Sequence, residues 1–119
     1  MAAVALGGML GCLARYGLGG VLTKGTFPWG TVAVNLLGSF ALGYIVFSDL
    51  ARGTLSAEQR MFLTVGFMGG FTTMSSFAVE FLGLAVQGDA MRAGLYYVLN
   101  AVCTVLAALA GRSVALAVG

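Results

Sequence analysis

The sequence predicts an all-α membrane protein of four transmembrane helices, with the third helix broken near mid-membrane. Three observations predict it. First, 60% of the 119 residues are hydrophobic and 8% are charged, far outside the range of a soluble globular domain. Second, the stretches 1–14, 25–48, 61–79 and 93–111 carry no charge, and about 20 apolar residues suffice for a helix to cross a bilayer core. Third, "GFMGGFTTMSSF" (66–77) sets three glycines, two threonines and two serines inside an apolar segment.

The first helix, about 2–22, runs past Arg15 in order to cross. It is too long and glycine-rich for a signal peptide and lacks a basic start, so it is read as retained. The second helix covers about 29–49, the third 58–86 and the fourth 91–116. "TKGTFPWG", "SDLARGTLSAEQR" and "VQGDAMR" connect them. Connections this short make neighbouring helices antiparallel and residues 1–119 a single domain. No strand pattern and no repeat of solenoid length is present. Cys12 and Cys103 lie in apolar segments and read as small core residues rather than a disulfide or metal site. The chain has no histidine, which removes Ser-His catalysis and the usual zinc and haem ligands. No enzymatic apparatus is expected, and no nucleic-acid partner.

Orientation in the membrane follows the distribution of Lys and Arg. The N-terminus, second connection and C-terminus share a side holding Arg52, Arg60 and Arg112. The other side holds Lys24, Arg92 and, if it snorkels to the nearer helix end, Arg15. So even a count gives little preference, and copies are expected to insert both ways up and to pair as a dual-topology antiparallel homodimer within the lipid bilayer. Gly7/Gly11 and Gly66/Gly70 form GxxxG pairs, which let helix backbones approach closely in lipid.

Polar residues are costly in lipid, so their alignment is informative. Thr31, Asn35 and Ser39 recur every four residues on the second helix, and Tyr96, Asn100 and Thr104 do so on the fourth. Each stripe reads either as interhelical hydrogen bonding or as the lining of a pathway, and two stripes in one small chain favour the pathway. Between them, the glycines at 69 and 70 loosen the third helix, and neighbouring Thr and Ser can rebond the freed backbone groups. A break there exposes carbonyls on one side, which suit a cation, and amide hydrogens on the other, which suit an anion. Ser75, Ser76 and Phe77 follow, placing hydroxyls beside the positive edge of an aromatic ring.

These residues resemble the Fluc, or CrcB-type, fluoride channels. "GTVAVNLLGSF" (30–40), "GFMGGFTTMSSFAVE" (66–80) and "GGMLGCLARY" (7–16) carry the resemblance, which spans essentially the whole chain. It implies a passive, selective fluoride channel in the inner membrane of a prokaryotic cell, exporting fluoride through two pores per antiparallel dimer. It also implies a structural sodium ion at the dimer interface, held by backbone carbonyls of Gly69 and Thr72 from both subunits. Asn35 matches the pore asparagine, Phe77 the second of two pore phenylalanines, and Ser75 and Ser76 the hydroxyl residues beside them. Tyr96, Asn100 and Thr104 fall on the polar track of the fourth helix, where the family often has serine at the last two positions. Met74 stands where the family usually has phenylalanine; its thioether can fill a similar volume but offers no ring edge.

Arg15 matches the family's first-helix arginine and reads either as snorkelling to the headgroups or as drawing anions into a vestibule. Glu80 matches the acidic residue that ends the third-helix motif. Its spacing from Glu58, about one membrane thickness along a helix, places it near the interface, paired with a cation. Two other readings remain. A proton-coupled small multidrug transporter would have the same architecture but needs an embedded acid, for which Glu80 is the candidate. A non-transporting scaffold would leave the stripes and the break unexplained.

Overall fold

The computed structural model describes residues 1–23, 25 and 27–118. Lys24, one of the charges in the orientation count, lies outside the described residues. Every regular element among those described is helical: α1 (Ala2–Leu22), α2 (Trp29–Phe47), α3 (Asp49–Thr54), α4 (Ala57–Met61), a π-helical stretch (Phe62–Met68), α5 (Gly69–Phe71), α6 (Ser75–Val86), α7 (Ala90–Ala101) and α8 (Cys103–Val118). Taken together they make four helical runs long and apolar enough to cross a membrane, namely Ala2–Leu22, Trp29–Phe47, Ala57–Val86 and Ala90–Val118.

The second helix is shorter than expected. It stops at Phe47 because Ser48 turns extended and its hydroxyl accepts the Ala51 amide, starting α3 as a separate turn. A serine competes well for a nearby amide at such a position. Ser56 and Gln59 form a capping box that opens the third span. At the far end Gly88 takes a left-handed φ of +83° that few other residues adopt readily, and Asp89 then caps α7 at the Arg92 amide.

The third span departs most from a regular helix. Residues 62–68 are π-helical, a wider turn that nothing in their composition announces. After one turn of α5, Thr72 is extended at φ −89°, ψ 160°, and helix resumes only at Ser75. The interruption at 72–74 falls at the middle of the 30-residue span, where Gly69, Gly70 and the Thr pair led us to expect it.

Glycines fix how the spans pack. A Cβ on Gly7 would collide with the Phe62 carbonyl and one on Gly11 with the Phe67 carbonyl. From the other side, a Cβ on Gly66 would lie 2.9 Å from the Val4 oxygen and one on Gly70 2.6 Å from the Gly8 oxygen. The two GxxxG pairs therefore meet each other within the chain, joining α1 to the third span. Gly7 and Gly11 are four residues apart, one α-helical turn. Phe62 and Phe67 are five apart, one π-helical turn, so the contact repeats turn for turn. Gly43 and Gly111 do the same for α2 and α8, against Ala108 and Phe40. A buried cluster of Phe27, Val32, Phe77, Leu84, Ala93 and Tyr96 ties α6 and α7 to the start of α2.

Candidate functional site

Opening a helix frees backbone groups that must find other partners in the low-dielectric interior. At the break those partners are side chains from two other helices. Asn35 of α2 accepts the Thr73 amide at its Oδ1 (2.8 Å) and donates Nδ2 to the Thr73 carbonyl (3.1 Å). A primary amide suits this pairing because it copies the donor–acceptor pattern of a peptide. Arg15 of α1 donates Nε to the Gly70 carbonyl (2.9 Å). The close α1 packing brings Arg15 to the broken helix. Thr73 closes the arrangement, its hydroxyl accepting the Ser76 amide at the start of α6 (3.2 Å).

Both polar stripes turn inward. Thr31, Asn35, Tyr96 and Asn100 are all buried. Asn35 Nδ2 also donates to Asn100 Oδ1 (2.7 Å), Asn100 Nδ2 donates to the Tyr96 carbonyl (3.1 Å), and the Thr104 hydroxyl donates to the Asn100 carbonyl. One turn away, Glu80 Oε1 accepts from the Thr31 hydroxyl (2.6 Å) and the Tyr96 hydroxyl (2.8 Å). The expected cation partner for Glu80 is absent among the described residues. Its inward face on α6 points Oε1 at the two hydroxyls, and both bond that one oxygen.

Two grooves flank this network. One, of about 420 Å³, is lined by Arg15, Thr31, Thr73, Ser76 and Glu80 together with backbone of α1. The other, of about 390 Å³, is lined by Asn35, Ser39, Thr72, Thr73, Met74, Phe77, Asn100 and Thr104. Thr73 borders both, so the Asn35–Thr73 pair stands at their junction. Phe77 is buried, its ring 5.5 Å from that of Tyr96 and 6.0 Å from that of Tyr97. Met74 borders the second groove yet is 75% exposed. Ser75 is exposed as well and lines neither groove, but a shallow recess with Ser76, Val79 and Glu80.

The sequence reading missed three features here. One is that the Asn35 amide is spent on Thr73 and Asn100. Another is that the hydroxyls of Thr31, Tyr96, Thr72 and Thr104 already donate within the chain, Thr72 to the Met68 carbonyl. The hydroxyls of Ser39, Thr73, Ser75 and Ser76 donate to no acceptor among the described residues. The third is that among those residues no donor reaches the carbonyls of Gly69 or Thr72. The Thr73 and Ser76 amides that would close such helical bonds are diverted to Asn35 and Thr73.

Residues 2–112 match the family model of the CrcB-like proteins, described as camphor resistance (CrcB). The chain belongs to the CrcB-like family. It is also similar to proteins named fluoride-specific ion channel FluC. That of Thermus thermophilus is 52% identical over 97 residues, covering 78% of this chain and 76% of the relative. That of Geobacter sulfurreducens is 45% identical over 96 residues, covering 78% and 77%. That of Methanopyrus kandleri is 43% identical over 116 residues, covering 97% and 88%.

Proposed function

We propose that this chain is a passive, fluoride-selective channel, working as an antiparallel homodimer with two pores in the inner membrane of a prokaryotic cell. The observation that carries this reading is the third span opened at 72–74 and held open by Asn35 and Arg15, with a polar groove on either side. Irregular backbone in a membrane-spanning segment is tolerated where it is buried in protein or lines a cavity. The names of the relatives supply the ion.

Fluoride holds its water tightly, so a selective path must replace that water with several small donors at short range. The uncommitted hydroxyls of Ser39, Thr73 and Ser76 are such donors, and the edge of the Phe77 ring is another. Thr31, Asn35, Tyr96, Asn100 and Thr104 form the walls, and Ser75 and Met74 complete them against the partner copy, which would cover their exposed faces. Arg15 raises the local anion concentration in the first groove, while Glu80, bonded by two hydroxyls, is a structural charge. Several modest sites in series allow the ion to leave. With the cell interior negative, an exiting anion gains about 2.3 kcal/mol per 100 mV, so no energy source is needed and no catalytic step is proposed.

The carbonyls of Gly69 and Thr72 fit the implied structural sodium ion. They are main-chain oxygens without a donor among the described residues, the type of ligand unwound helices offer to sodium. One chain supplies two such oxygens, and an antiparallel partner would supply two more. The ion would tie the two breaks together.

The test is fluoride efflux from liposomes holding the purified full-length chain, followed with a fluoride electrode and repeated with chloride. Rapid fluoride release with negligible chloride release is expected. Absence of fluoride release overturns the proposal. Proton-driven efflux of an organic cation, lost in Glu80→Gln, would replace it with the multidrug transporter reading; no transport of any kind would favour the scaffold.

A further inference from the structure

Asn35 and Asn100 are the two asparagines of the chain, and they are bonded to each other. Backbone partners fix both amides. The Thr73 amide must be met by the Asn35 oxygen, so Asn35 Nδ2 is the group turned to Asn100. The Tyr96 carbonyl must be met by Asn100 Nδ2, so the Asn100 oxygen is the group turned to Asn35. Neither amide can be flipped without setting like groups against each other. Asn35 has two amide hydrogens, one held by the Thr73 carbonyl and the other by Asn100. No third remains for an ion in the groove that both residues line.

We infer that Asn100 sets the fluoride affinity of Asn35 by competing for its groove-side amide hydrogen. The inference rests on the channel reading and deepens it. Any anion that uses Asn35 must first displace an amide oxygen already seated at 2.7 Å. A small, strongly basic fluoride can compete for that hydrogen. A larger and weaker acceptor such as chloride gains less from it and is disfavoured. Asn100 is thus a specificity-determining residue acting through Asn35. Its own position is set by its bond to Tyr96 and by the Thr104 hydroxyl on its carbonyl.

With only two asparagines, 15N-asparagine labelling of the full-length chain in lipid nanodiscs yields two side-chain amide signals. In Asn100→Ala the remaining one is Asn35. Sodium fluoride titration should move the Asn35 signal at about fivefold lower concentration in Asn100→Ala than in the wild-type protein. That factor corresponds to one neutral hydrogen bond of ~1 kcal/mol at about 1.4 kcal/mol per tenfold. Asn100→Ser, too short to reach Asn35, should behave alike and serves if the alanine variant fails to fold. Equal midpoints, or an Asn35 signal indifferent to fluoride in both proteins, would overturn the inference. So would rapid solvent exchange of one Asn35 amide hydrogen in fluoride-free wild-type protein. Absence of liposome flux alongside the fivefold shift would remove the channel reading alone, and flux with unmoved midpoints would remove this inference alone.

Discussion

The third and fourth spans are both interrupted near their middles, and they are interrupted differently. At Val102 the fourth span only bends: the Val102 amide still reaches the Val98 carbonyl and the Leu106 amide the Val102 carbonyl. The Thr104 hydroxyl, back-bonded to the Asn100 carbonyl, accounts for the local loosening, since such bonds compete with the helical ladder. At 72–74 the third span gives up its ladder, and side chains of α1 and α2 take over the freed groups. The difference teaches that an interruption becomes a site only when other helices must complete its backbone bonding. A bend that repairs itself leaves nothing to offer a ligand.

The largest effect that would test this contrast is Asn35→Ala. It strands the Thr73 amide and carbonyl, each at about 1–3 kcal/mol, and should lower the thermal unfolding temperature in detergent and cut liposome fluoride flux by at least about tenfold. A harmless Asn35→Ala would mean that the third span, like the fourth, repairs itself. Gly11→Val comes next. It forces α1 away from the Phe67 carbonyl at a typical overpacking cost of about 1–3 kcal/mol, seen as a loss of folded protein by size-exclusion chromatography. Arg15→Lys keeps the charge but not the Nε geometry. It should cost about 1 kcal/mol in detergent unfolding, less than Arg15→Ala, because a bond from a charged donor is worth about 1.5–3 kcal/mol. Smallest is Thr104→Val, which removes the back-bond and should change stability by no more than about 0.5 kcal/mol. It should also slow amide exchange at Leu106 as the fourth span straightens.

Much of this was legible in the sequence, for identifiable reasons. Long uncharged stretches mark spans whatever the tertiary structure, and Gly69, Gly70, Thr72 and Thr73 announce a weak point because glycine and hydroxyl side chains act locally. The period of four that aligns Thr31 with Asn35 and Tyr96 with Asn100 correctly gave the faces that turn inward. What stayed hidden depends on who meets whom. Nothing about Asn35 alone says that its amide is taken by Thr73 and Asn100, and nothing about Arg15 alone says that it meets the Gly70 carbonyl. Glu80 was expected beside a cation because spacing gives depth but not the partner across the gap. The π-helical stretch has no compositional mark, since Phe62–Met68 would serve as well in an α-helix.

The match of four residues on α1 to five on the third span works as a vernier. Removing one residue between Phe62 and Met68 would let the wide turn close to an α-helical pitch, four residues against four, and leave Gly70 on α1 and Thr73 on Asn35. The extra residue is therefore what this stretch can lose. A single-residue deletion there should be tolerated among functional variants, whereas one between Gly69 and Thr73, with no wide turn to absorb it, should swing the Thr73 backbone about 100° away from Asn35.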